Sequence, residues 1–215
     1  MKAVVAGGTG LIGSFLIDWL KRDDEIEAVT AITRREESHE GKVFWKKADL
    51  GNIEELKTAF RDADLCFCCL GTTMKNAGSK AAFRKVDYEY VLNLAQAAKA
   101  EDCESFSVVS AIGSDAKSSF FYNQVKGEME QGLEKIGFER LHIFQPSILL
   151  GPRTEKRLGE KLGIIGMKAI SPILLGGMSK YKPIQASKVA QAMLHYAKSP
   201  EMGIRRYSYD EIMAV

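Results

Sequence analysis

The 215 residues carry 46% hydrophobic content, enough for one well-buried core, and a single domain spanning 1–215 is the expectation at this length. Lys+Arg 30 against Asp+Glu 28 leaves a net charge of only +2, which excludes a global field that would recruit nucleic acid or an anionic membrane. The four cysteines, three of them crowded at Cys66, Cys68 and Cys69, and the dispersed His39, His142 and His195 lack the spacing of a metal site or a disulfide framework, so no metal is expected and a reduced cytoplasm fits best.

In chain order, short β-branched or apolar runs alternate with stretches of helical period, the pattern of βαβ units feeding a mostly parallel, doubly wound α/β sheet buried on both faces. A strand at residues 2–6 opens the chain, and the glycines after it interrupt any signal-peptide core. Further strands are predicted at 26–32, 43–45, 64–70, 105–110 and 141–144, with helices at 11–21, 53–60, 83–100 and 120–136 between them. Beyond Pro146 the alternation weakens. A Gly/Pro-punctuated segment at 151–183 precedes a helix at 187–198, a turn at 199–203 and a strand at 205–209, and residues 147–215 read as contributing a small C-terminal substrate lobe. The longest apolar stretch, 162–178, is broken by Lys168 and Pro172 and falls short of the ~20 residues an integral span requires. It reads as core cover, with a subunit or membrane-surface contact as the other reading.

Gly7-Gly8-Thr9-Gly10-Leu11-Ile12-Gly13 follows a strand and opens a helix, which gives the glycine spacing its weight. One glycine permits the turn, the next lets main chain approach a pyrophosphate, and the third lets helix pack close to sheet, with free N–H groups at the helix start to hold the phosphates. Where the second strand ends, Thr33 is followed by Arg34 and Arg35 instead of the acid that grips the ribose of NAD. Guanidinium groups there fork onto the 2′-phosphate of NADP(H); the alternative is a solvated loop neutralised by Glu36 and Glu37.

Tyr122 and Lys126 share one face of the 120–136 helix. The bare spacing is nearly uninformative in a lysine-rich chain, but Tyr122 lies twelve residues past Ser110, which ends an apolar strand at the carboxyl edge where open α/β sheets bind ligands. An adjacent ammonium and a nicotinamide cation favour the phenolate, Lys126 has donors left for a ribose, and Ser110 can hydrogen-bond a reacting carbonyl. The bland reading makes Ser110 a turn residue and Tyr122 a half-buried aromatic. Gly127 costs ~1 kcal/mol against alanine in a helix, which a close approach of cofactor or neighbouring backbone would justify. Cys66, Cys68 and Cys69 read as small strand fillers, with Cys69 near the nicotinamide end as the alternative. Arg153, Lys156 and Arg157 read as a solvated loop face rather than an acid-binding cluster.

These residues resemble the short-chain dehydrogenase/reductases, and within them the atypical branch that includes the Tat-interacting-protein-like oxidoreductases. The resemblance covers nearly the whole chain: the glycine motif, Thr33-Arg34-Arg35, Cys69-Leu70-Gly71-Thr72-Thr73, Phe83-Arg84-Lys85-Val86-Asp87, Ser110, Tyr122 to Glu128, and Pro146 to Gly151. It implies a Rossmann sheet binding NADP(H), a catalytic Tyr122 and Lys126, and Ser110 polarising a small-molecule substrate. It also implies Asp49 and Leu50 near the adenine, and Leu70, Gly71 and Pro146 along the cofactor, with Asp49 equally readable as a cap for the helix beginning at Asn52. The stretch after Pro146 is shorter than the substrate domain of the extended relatives that act on nucleotide sugars, which counts against epimerisation. Two functions follow: an NADP(H)-dependent oxidoreductase interconverting a carbonyl and an alcohol, or a cofactor-sensing module that binds a regulatory protein partner without turnover. A homodimer is compatible with both.

Overall fold

The computed structural model describes residues 1–34, 37–152 and 176–215. Its chain-order elements are β1 (Lys2–Ala6), α1 (Leu11–Arg22), β2 (Ala28–Thr33), β3 (Ser38–Glu40), β4 (Val43–Lys47), α2 (Ile53–Phe60) and β5 (Leu65–Cys68). The short α3 (Met74–Ala77) and α4 (Lys80–Arg84) follow, then a π-helical turn (Lys85–Glu89) that runs into α5 (Tyr90–Ala100). β6 (Ser105–Val109), α6 (Phe121–Ile136), β7 (Arg140–Phe144), β8 (Leu149–Leu150), a 3-10 helix (Gly176–Tyr181), β9 (Ile184–Gln185), α7 (Ala186–Ala197), β10 (Gly203–Tyr207) and α8 (Tyr209–Met213) complete the described chain.

The main sheet has eight strands in the order β10-β7-β6-β5-β1-β2-β4-β3. Every pairing is parallel except β3 against β4. The central six follow the doubly wound pattern, with the chain leaving β1 in both directions, and the order reverses at β1 and β5. Alternation along β1 explains the two cores: Val4 and Ala6 face the layer that buries Leu56, Leu94 and Met129 of α2, α5 and α6. Ala3 and Val5 face the opposite layer, where α1 and α7 bury Leu16, Leu20, Val189 and Met193. A continuous apolar run such as Leu65–Cys68, buried at all four positions, is what a strand covered on both sides requires.

The predicted strands and main helices are all present, with small shifts at their ends. The predicted helix over 83–100 is instead α4, the π turn and α5 in succession. β3 escaped prediction because all three of its residues are exposed and polar; it is held by pairing to β4 and by the His39 ring stacked on Phe44 at 4.5 Å between centroids. β8 and β9 form a separate two-stranded parallel pair, Leu149 with Ile184 and Leu150 with Gln185. Arg153, Lys156, Arg157 and nearly all of the apolar stretch at 162–178 lie outside the described residues, as does Arg35.

Candidate active site

The turn from β1 to α1 is built from backbone. Gly7 sits at φ +81°, and a Cβ there would lie 2.7 Å from the Cys69 carbonyl carbon and oxygen, so only glycine allows the turn to press against the end of β5. Gly10 N donates to Gly7 O at 2.9 Å, and a Cβ on Gly13 would stand 2.2 Å from the same oxygen, so α1 is seated directly on the turn. Gly10 offers α1 no side-chain cap and the first turn carries no acid. The N–H groups of Leu11, Ile12 and Gly13 lack intrahelical partners by geometry, and the positive end of the helix adds to them. This cradle fits a dinucleotide diphosphate.

Beside it opens a cleft of about 740 Å³ at the carboxyl edge of the sheet. Of the sequence-predicted residues, Thr9, Gly10, Leu11, Ile12, Leu70, Gly71, Ser110, Tyr122 and Lys126 line it, and so do Cys69, Thr72, Thr73, Asp87, Leu149 and Pro152. Gly7 and Gly13 are not in its lining; Gly7 packs against Cys69, which is, and Gly13 against Gly7. Arg34, Asp49, Leu50 and Pro146 are not in its wall: Arg34 and Asp49 are exposed and Leu50 is buried. Asp49 Oδ1 accepts from Gly51 N at 2.9 Å, while Asn52 itself caps α2 by accepting from Glu55 N. The Pro146 carbonyl accepts from Ile112 N at 3.0 Å, joining the loop after β7 to the loop after β6.

Tyr122 and Lys126 emerge one helical turn apart on α6 and meet the cleft at different depths. Tyr122 is 40% exposed and leans on Phe83, ring centroids 5.7 Å apart. Lys126 is 3% exposed, and its ammonium is paired with Asp87 Oδ1 at 2.9 Å, with the Val109 carbonyl at 3.4 Å. Burial alone would lower the lysine pKa; the facing Asp87 carboxylate and Tyr122 outweigh it, and the ammonium is held above the ordinary lysine value. The other Asp87 oxygen accepts from Thr72 N at 2.9 Å, fixing the loop after β5. Asp87 therefore neutralises much of the field that Lys126 was expected to exert on Tyr122, and ties up one of the donors expected for a ribose.

Ser110 shows a second departure. Its hydroxyl donates to Glu130 Oε1 at 2.5 Å instead of standing free for a carbonyl. Gly127 is explained by backbone and not by cofactor, since a Cβ there would lie 2.2 Å from Ala116 N. Cys66 and Cys68 are buried fillers as expected, and burial pushes the Cys68 thiol up to about 11; Cys69 reaches the cleft wall. Asp87 and Glu130 were not singled out from sequence. Glu130 had a signal: Tyr122, Lys126 and Glu130 recur every four residues on one helical stripe. Asp87 stood in one of the runs that carry the family resemblance, but it had no periodic mark to give it a place in the site, because the π turn that aims it inward leaves none.

A cradle for a diphosphate, beside a Ser-Tyr-Lys cleft on a doubly wound sheet, defines a dinucleotide-binding protein. A family model described as NAD(P)H-binding matches residues 7–156, and the chain belongs to that family. Protein HTATIP2 of Rattus norvegicus is 36% identical over 203 residues, covering 93% of this chain and 82% of its own. Protein FMP52-1, mitochondrial, of Scheffersomyces stipitis is 35% identical over 204 residues, covering 92% of this chain and 88% of its own. Among solved structures, MoeE5 in complex with UDP-glucose and NAD superposes with a TM-score of 0.73 at 15% identity over 100% of this chain and 80% of that one. The UDP-glucose 4-epimerase of Thermotoga maritima gives 0.72 at 16%, covering 97% and 77%. At such identities the likeness is one of fold. No helix among the described residues is long and apolar enough to cross a membrane.

Proposed function

We propose that this protein is an NADP(H)-dependent oxidoreductase that interconverts a carbonyl and an alcohol on a small molecule. What carries the reading is that Ser110, Tyr122 and Lys126 line the same cleft as the glycine turn. When bound, the nicotinamide supplies or accepts hydride. The chain does the rest: the Leu11 to Gly13 amides hold the diphosphate, Tyr122 exchanges a proton with the substrate oxygen, and Lys126, held by Asp87, anchors the ribose side of the cleft. Ser110 contacts the substrate oxygen. Arg34 and Arg35 provide the preference for the 2′-phosphate, and Asp49, Leu50 and Pro146 flank the cofactor.

Residues 147–215 contribute the substrate lobe on this reading, and Leu149 and Pro152 in the cleft wall support it. The four cysteines, all free thiols, favour a reducing compartment, for which we take the cytoplasm, although the FMP52 relatives are named mitochondrial. The test is a panel of carbonyl compounds with NADPH. Tyr122→Phe should lower kcat by 10²-fold or more, on the order expected for losing a general acid, with NADPH binding retained; undiminished turnover in the variant removes Tyr122 from the chemistry. Arg34→Ala should weaken NADPH and leave NADH unchanged in a titration, and equal effects on both would discard the phosphate clamp.

A further inference from the structure

Glu130 lies on α6 two turns past Tyr122 and one past Lys126, is 4% exposed, and has no part in the chemistry described so far. Each of its described hydrogen-bond partners is a donor. Ser110 Oγ–H reaches Oε1 at 2.5 Å, Gln145 Nε2 reaches Oε1 and Oε2 at 2.9 and 3.1 Å, and Arg206 Nε reaches Oε2 at 3.3 Å. A hydroxyl donating to an ionised carboxylate is expected at about 2.5–2.7 Å, and two nitrogen donors on the same group call for the ionised form. Ser114 Oγ stands 3.0 Å from Ser110 Oγ, but its own proton has the Ala111 carbonyl at 2.7 Å.

Serine has one proton to give. With that proton committed to Glu130, Ser110 offers the cleft only lone pairs. We infer that Glu130 is a positioning residue that fixes Ser110 as a hydrogen-bond acceptor, so that the site selects the hydroxyl form of its substrate over the carbonyl form. This rests on reading Ser110 as a substrate contact. A hydroxyl finds an acceptor there; a carbonyl oxygen meets lone pairs, and a site built around one polar partner discriminates against the analogue that leaves it unpaired. Tyr122 remains the donor when the carbonyl is bound. Gln145, just past β7, and Arg206, on β10, orient the carboxylate, so the far edge of the sheet sets the polarity of a group in the cleft.

Glu130→Gln preserves the volume. Arg206 Nε, which can only donate, keeps the amide oxygen on its own side, and Gln145, which donates to Oε1 at 2.9 Å in the parent, turns its own side-chain oxygen to the new amide, so the amide N–H faces Ser110 and the serine proton returns to the cleft. Two measurements on the full chain test this. In proton NMR of the parent, the Ser110 hydroxyl, assigned by its loss in Ser110→Ala, should appear downfield and exchange slowly; exchange as fast as that of exposed serines overturns the inference. For a compound that the parent turns over, the ratio of alcohol to ketone dissociation constants from product inhibition should shift about tenfold toward the ketone in Glu130→Gln, and an unchanged ratio also overturns it. A parent that turns over nothing in the panel defeats the oxidoreductase reading alone, and the hydroxyl signal still decides the Ser110–Glu130 bond.

Discussion

Buried polar residues set the character of this site one by one. Asp87 and Lys126 are each almost wholly buried, and neither is tolerable without the other, since a lone charge in such a place costs several kcal/mol. His142 makes the same point away from the cleft. Its Nδ1 meets the Tyr207 hydroxyl at 2.9 Å within a stack of Phe144, Tyr196 and Tyr207. Burial first, then the charges of Arg140 and Arg205, push its pKa down to about 4 from an ordinary 6.5. The folded protein thus binds fewer protons than the unfolded chain between those values. The His142 contribution to stability is full above pH 6.5 and falls by about 3 kcal/mol as pH drops toward 4. Urea unfolding at pH 7 and pH 4.5 should show a smaller drop for His142→Gln than for the parent. At this scale the glycine turn, Ser110, Tyr122 and Lys126 were readable because each belongs to a local pattern. The partner of Lys126 was not, because Asp87 reaches it through tertiary packing that no spacing encodes, and neither was Gln145, which holds the Glu130 carboxylate from the end of β7.

Among elements, α6 carries the most. It presents Tyr122, Lys126 and Glu130 to one side while Val125, Met129 and Leu133 enter the core. Gly127 lets it approach the loop after β6, where a Cβ would come within 2.2–2.6 Å of the backbone of Asp115 and Ala116. Helix propensity alone would reward Gly127→Ala by ~1 kcal/mol. The contact with rigid main chain should win instead, giving a net loss of about 1–3 kcal/mol, visible as a lower Tm in calorimetry; a higher Tm would show that the loop yields. The long periodic helices were legible in sequence for the same reason that they are stable, a continuous apolar face. α3, capped by Thr73 and with no buried residue, offers no such face. The helix at 83–100 was legible as helix but not as interrupted helix.

For the whole molecule, the consequence of strand order is that the loops after β1, β5 and β6 gather on one side of the topological switch between β1 and β5. A ligand seated there joins both halves of the sheet. NADPH at a hundred times its dissociation constant should add about 2.7 kcal/mol, which for a chain of this size raises Tm by about 5–10 °C. Differential scanning fluorimetry with NADPH and NADH reads this directly, and no shift with either would argue against the cradle. Fold class was legible because alternation of strand and helix leaves few topologies open; the antiparallel edge strand β3 was not, since nothing in its three residues is apolar.

The pairing of β8 with β9 sets Leu149 beside Ile184 and Leu150 beside Gln185, a single strand spacing apart across a long separation in sequence. Closing a longer or shorter excursion between such neighbours changes the free energy little, about 0.6 kcal/mol for each doubling of length. The frame can therefore accept a different insert there much as a tool handle accepts another bit, with Leu149 and Ile184 as the collar. A change of chain length between β8 and β9 would leave α1 and α6 in place, since both pack on the main sheet.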